Sequence, residues 1–160
     1  MQAFSAYYKF TQQFSVRAQQ AFDWCTDYQP GDLALMGEEG KRRINRLTAD
    51  TVILEEHVVQ HDKRVTKVKL VKLNCRTHSW HNIQLKGPNR YSEFIYEIIS
   101  DGQRRSRLIF TGLLIVYATH HISQKRLRQI ANREKRYDSR AWKRLANVMA
   151  KELRKTWWRL

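Results

Sequence analysis

A chain of 160 residues, 42% hydrophobic and 28% charged with only two prolines, has the composition of a globular protein and the length for one domain with a sizeable core. No apolar run reaches the roughly 18 residues of a membrane span. Cys25 and Cys75 are too few for a disulfide framework, and the opening MQAFSAYYKF has no basic segment followed by an apolar one, so neither a secretory signal nor a transmembrane segment is expected and the cytoplasm is the default setting. The one unusual total is a net charge of +15, which favours contact with nucleic acid, an acidic membrane surface or an acidic protein, unless the bases are simply a solvated face.

Tyr8, Phe10, Phe14 and Val16 alternate with Lys9, Thr11, Ser15 and Arg17, the period-two pattern of a half-buried strand ending near Arg17. Ala18 to Tyr28 switches to helical spacing through Ala21, Phe22, Trp24, Cys25 and Tyr28. Pro30-Gly31 punctuates that helix, and Leu33 to Met36 makes one further short turn. From Lys41 the pattern becomes short strands with turn signals between them: Arg42 to Leu47, Thr51 to Val59, Val65 to Leu73, His78 to Leu85, Tyr91 to Ile99 and Arg107 to Tyr117. Six strands joined by tight turns predict an antiparallel meander, and residues 1–160 read as one domain.

The last forty residues close the chain as a long amphipathic helix, roughly Ser123 to Thr156. Thirteen Lys or Arg stand here against three acids, a surplus of ten. Leu127, Ile130, Ala131, Tyr137, Ala141, Trp142, Leu145, Val148, Met149 and Leu153 form a broad apolar stripe at helical spacing. Asp138-Ser139 is a candidate cap that would break the helix in two. Glu134, Asp138 and Glu152 all project onto the stripe. A carboxylate on such a face is costly to bury unless partnered, so two readings stand for Glu134 and Asp138. They pair with bases such as Arg90, His78, His81, Arg104 or Arg105, or they face a cavity as ligand anchors or a general acid/base pair. Glu152 reads as a rim residue.

FSVRAQQAFDWCTDY (14–28), HSWHNIQLKGPNRYSEFIYEI (78–98), RLIFTGLLIVY (107–117) and the terminal helix together resemble the START-like, or helix-grip (SRPBCC), superfamily in its polyketide-cyclase/dehydrase-like branch. The resemblance implies an α+β fold in which a curved seven-stranded antiparallel sheet wraps around a long C-terminal helix, with short helices between the first and second strands. It also implies a cavity between sheet and helix. Members carry lipids, sterols, quinones or polyketides, a few cyclise or dehydrate them, and others bind proteins or the ribosome.

On that footing Trp80, Phe94, Tyr96, Phe110, Leu114, Trp142, Leu145 and Met149 line a cavity for a small, largely apolar ligand, or fill a solid core. Trp80, Asn82 and Gln84 share one strand face, concave with Asn82 at the ligand, or convex and solvated with Ile83 and Leu85 as core. Carrier or sensor is the first functional expectation, and a cyclase/dehydrase-type enzyme a further one. The second is a basic adaptor for RNA, the ribosome or an acidic protein, using Arg126, Arg133, Arg136, Arg140, Lys143, Arg144, Lys151 and Arg154, with Trp157 and Trp158 as an anchor. Nothing has the spacing of a metal site, of a nucleophile elbow or of a phosphate loop, no cofactor is implied, and Cys25 reads as an inert thiol.

Overall fold

The structure is a computed structural model that describes residues 1–60 and 62–157. Trp158 and the side chain of Trp157, read above as an anchor, lie outside the described residues. Seven strands form one antiparallel sheet: β1 (Gln2–Phe14), β2 (Gly40–Thr48), β3 (Thr51–Gln60), β4 (Lys63–Asn74), β5 (Ser79–Lys86), β6 (Glu93–Ser100) and β7 (Ser106–Ala118), in the order β1-β7-β6-β5-β4-β3-β2. Helices α1 (Ala18–Thr26) and α2 (Asp32–Leu35) link β1 to the far edge of the sheet, and α3 (Gln124–Trp157) follows β7.

The six-strand meander is as its alternation predicts. β1 starts earlier than expected, because Gln2 to Tyr7 find partners along the second half of β7, down to Gln2 opposite Ala118. Turn chemistry sets the registers. The Asn74 carboxamide oxygen accepts from the amides of Arg76 and Thr77, and Gly102 supplies the left-handed φ of 98° between β6 and β7. Register shifts at Arg46/Thr48 and Val68/Lys69 interrupt the ladder, the kind of irregularity that bends a strand and deepens a sheet's curvature.

Parity then decides what faces inward. On β3 it is Val52, Leu54, Glu56 and Val58; on β7 it is Leu108, Phe110 and Leu114; on β1 it is Ala6, Tyr8, Phe10 and Phe14. Leu127, Ala131, Ala141, Trp142, Leu145 and Met149 of α3 are buried with this layer, so the stripe is a packing face. Met149 is only 1% exposed and belongs to the packed end of the core.

Of the two possibilities left open at Asp138-Ser139, the unbroken helix is the one found: the Ser139 hydroxyl donates to the carbonyl of Lys135 at 2.6 Å, inside the helix, and does not cap a new one. At about 1.5 Å per residue the helix's 34 residues run roughly 50 Å. One expectation for α3 fails. Tyr137 leaves the stripe: it is 45% exposed and its hydroxyl donates to Glu38 at 3.1 Å.

Candidate functional site

The concave face has two halves of different chemistry. Strands β5, β6, β7 and β1 supply aromatic walls. Trp80 and Tyr96 are directly paired across β5 and β6, and their rings stack at 4.7 Å and 5°. Trp142 comes down from α3 to 5.8 Å from Tyr96 and 6.2 Å from Trp80. Phe110 meets Tyr96 edge-on at 5.0 Å.

Strands β2, β3 and β4 supply charge. Arg42 sits opposite Glu56 in the β2–β3 register and donates to its Oε1 through Nε at 3.0 Å and Nη2 at 2.7 Å. Lys69 Nζ lies 2.8 Å from Glu56 Oε2, and Arg42 Nη1 reaches Asp32 at 3.4 Å. Burial alone would push the Glu56 carboxyl up, but Lys69 and Arg42 outweigh it and hold it down at about 2. Lys67, opposite Glu56 on β4, shares that face; burial, then the neighbouring Lys69, lower its pKa.

Between sheet and helix the packing leaves two small lobes that share Met36, Lys69, Tyr96 and Trp142 as walls. One, about 80 Å³, is further lined by Trp24, Cys25, Tyr28, Asp32, Arg42, Leu54, Trp80, Asn82 and Leu145. The other, about 110 Å³, is further lined by Tyr8, Glu38, Lys67, Gln84, Phe94, Phe110, Leu114, Glu134 and Asp138, among others. Ten of the eleven residues read from the sequence as ligand-facing therefore lie on a lobe wall. Met149 does not. The face carrying Trp80, Asn82 and Gln84 is the concave one, and all three are buried. The lining of the first lobe is mostly apolar with Asp32, Arg42, Lys69 and Asn82 set into it, whereas the second is mixed, with Lys67, Lys69 and several carboxylates on its walls.

The acids on the helix stripe avoid the ion pairs expected with sheet or loop bases. Asp138 accepts a short hydrogen bond from the Tyr8 hydroxyl. Burial drives the Asp138 carboxyl up to about 6, against that hydrogen bond and the pull of Lys69 and Lys67, with Glu134 adding to the rise. Burial and then Asp138 push the Tyr8 phenol far above its ordinary value. Glu134 pairs with its neighbour Arg133 at 3.1 Å. Glu152, at the rim, accepts from the Trp24 indole at 2.7 Å. Three of the bases named as partners are engaged elsewhere: His81 lies 3.0 Å from Glu93, His78 meets Gln19 at 2.9 Å, and Arg90 sits over the Tyr91 ring, while Arg104 lines a separate pocket.

Two residues that line the first lobe hold buried polar atoms with no hydrogen-bond partner among the described residues. The atoms are the Tyr28 hydroxyl and the Asn82 carboxamide oxygen, on residues 8% and 6% exposed. The other end of the Asn82 amide reaches the Tyr96 hydroxyl at 3.5 Å. Such atoms are costly to bury unless something in the cavity meets them.

Tyr8, Tyr28, Arg42, Glu56, Lys67 and Lys69 were not read from the sequence as site residues. The available signal was parity: Glu56 keeps step with Val52, Leu54 and Val58, and Lys67 and Lys69 keep step with Val71. A charge in phase with an apolar face marks a polar element of the interior.

Among the bases of α3, Arg133 is tied to Glu134, Arg144 donates to the Met36 carbonyl at 3.1 Å, and Arg126 reaches Gln129 at 3.3 Å. Arg136, Arg140, Lys143 and Lys151 are exposed. No described helix is long and apolar enough to cross a membrane.

No family model and no curated protein matches the chain. Solved structures do. The Zhui aromatase/cyclase from Streptomyces sp. R1128 superposes with a TM-score of 0.79 at 12% identity, covering 94% of this chain and 96% of its own. The chain has the START-like helix-grip fold. A START superfamily protein from Mycobacterium smegmatis (TM-score 0.73, 11% identity, 90% and 99% covered) has the same helix-grip architecture. So has norcoclaurine synthase from Thalictrum flavum, solved with dopamine and hydroxybenzaldehyde (TM-score 0.68, 11% identity, 96% and 88% covered). At these identities the likeness carries the helix-grip fold and no activity.

Proposed function

We propose that this helix-grip chain binds a compact small molecule between the sheet and α3, as a carrier or sensor. The observation that carries the reading is that Tyr28 and Asn82, which both line one aromatic-walled lobe, each hold a buried polar atom (Oη and Oδ1) with no partner among the described residues. A ligand with an acceptor for the tyrosine hydroxyl and a donor for the amide oxygen would satisfy both. Lobes of about 80 and about 110 Å³ fall short of the roughly 300–1,000 Å³ of pockets for drug-sized molecules. The ligand expected here is therefore on the scale of one substituted ring, not a lipid chain or a fused polyketide.

Trp80 and Trp142 report on it directly. Titrating single-ring compounds that bear a hydroxyl and a carbonyl should quench tryptophan emission saturably. The Asn82→Leu variant should lose that response while retaining its fold. Quenching that never saturates, or that is identical in the variant, would remove the cavity reading.

A specific observation supports each of two further readings. Asp138, with its carboxyl near 6 on a lobe wall, is suited to general acid/base work, as a cyclase or dehydrase would need. The exposed Arg136, Arg140, Lys143 and Lys151 support an adaptor whose partner is RNA, the ribosome or an acidic protein in the cytoplasm. RNA binding of that kind weakens steeply with salt.

A further inference from the structure

A second concavity lies away from the sheet–helix cavity, where the start of α1, the β6–β7 turn and the end of α3 meet. It is an open pocket of about 250 Å³ lined by Arg17, Arg104 and Arg154 together with Ser15, Gln20 and Leu153, among others. The three arginines are far apart in sequence, and only the fold brings them to one place. None of them forms an ion pair among the described residues. Two acids of the flanking helices are occupied, Asp23 accepting from Gln19 at 2.7 Å and Glu152 from Trp24 at 2.7 Å, and Asp101, in the same turn as Arg104, forms no ion pair with any of the three among the described residues.

The end of α1 adds to this positive field. Arg17 is its N-cap residue, and a guanidinium, which only donates, satisfies none of the first-turn amides. No acidic residue stands in that first turn, although a carboxylate there would be favourable. Ser15 to Gln20, the segment that carries these amides, borders the pocket through Ser15, Arg17 and Gln20.

We propose that this pocket binds a phosphate group. The three arginines are exposed and line the pocket from three different segments; together their guanidinium groups can offer more donors than the two oxygens of a carboxylate can accept, whereas a phosphate presents three or four oxygens in a tetrahedron. Arginine forks match that geometry bidentately. The apolar Val16, Ala150 and Leu153 on the same walls would lie against whatever carries the phosphate.

The test is a titration of the full chain with inorganic phosphate at constant ionic strength, followed by backbone amide resonances. Saturable shifts are expected at residues 15–20, around Arg104 and around Arg154. Arg104→Gln lies in an exposed turn and should weaken binding by about tenfold or more, the consequence of losing one charged hydrogen-bonding partner. Arg154→Gln should do the same, and Arg104→Lys should recover only part of the loss. Lys9→Gln, on β1 six residues before the pocket's Ser15 and outside its lining, removes the same charge and should change nothing.

A second arm separates the sources of phosphate. Phosphatidylcholine vesicles containing phosphatidic acid, competed by inorganic phosphate, would assign the site to a lipid headgroup. Phosphate binding without vesicle capture would assign it to a soluble phosphate compound. Shifts that do not saturate, that spread evenly over the basic residues of α3, or that weaken equally in Lys9→Gln would overturn the proposal. The outcome does not depend on the sheet–helix cavity.

Discussion

The hydroxyl of Tyr8, on the first strand, donates a hydrogen bond to the carboxylate of Asp138, midway along the terminal helix and 130 residues away. This bond joins the helix to the sheet at a wall of the second lobe. It also explains how an acid on an apolar stripe is tolerated without a cation in contact.

Asp138 should make stability depend on pH in a particular sense. Its carboxyl is raised from 3.8 to about 6, so the folded chain holds this proton more tightly than the unfolded one. The contribution is therefore full below about pH 4 and is lost as pH rises towards 6. Asp138→Asn keeps an acceptor for Tyr8 and removes the ionisation. At pH 7.5 it should be more stable than the parent by roughly 1–3 kcal/mol. Urea midpoints across pH 4 to 7 check this, and a variant that follows the parent's slope would refute the assignment.

Glu56 should act in the opposite direction and lower on the scale. Its carboxyl is held down from 4.5 to about 2 against burial, by Lys69 and Arg42. The stability it provides is present above pH 4.5 and is lost as pH falls towards 2. Glu56→Leu leaves Arg42 and Lys69 facing one another without a counter-charge, and about 3–5 kcal/mol of destabilisation is expected. Denaturant melts at pH 7 would show it, and the triple replacement of Arg42, Glu56 and Lys69 by apolar residues should recover much of the loss.

Gly112 is required by a close approach. It faces Tyr8 across β1 and β7, and a Cβ there would stand 2.5 Å from the tyrosine ring. Gly112→Ala should displace that ring and break its bond to Asp138. The expected cost is about 1–3 kcal/mol, and nearly all of it should vanish in a Tyr8→Leu background. A full cost in that background would place the strain elsewhere.

The strands were legible because the meander alternates cleanly and its turns carry Asn, Asp and Gly at the needed positions. The helix was legible from its stripe. Which face of β5 is concave was not legible, because Trp80, Asn82 and Gln84 and the alternative set Ile83 and Leu85 are each compatible with an interior. Only the pairing of Asn82 with Val71 and Phe94 decides it. The Arg42–Glu56–Lys69 group escaped for a related reason. Parity places Glu56 and Lys69 on the apolar faces of their own strands, but only the register of three strands brings them to Arg42. Asp138 was flagged by its place on the stripe, but its partner lay 130 residues away in a strand with no local mark.

Ligand binding in the first lobe rests on Tyr28 and Asn82, and the two can be tested together. Tyr28→Phe removes the unpartnered hydroxyl with almost no change of shape, so in the ligand-free chain it should be neutral or slightly stabilising. The most direct measurement is native mass spectrometry of gently purified chain beside the Tyr28→Phe/Asn82→Leu double variant. A bound small molecule is expected on the first and none on the second, with both folded. A parent chain that always carries its bare mass, or a double variant that retains the same adduct, would contradict it.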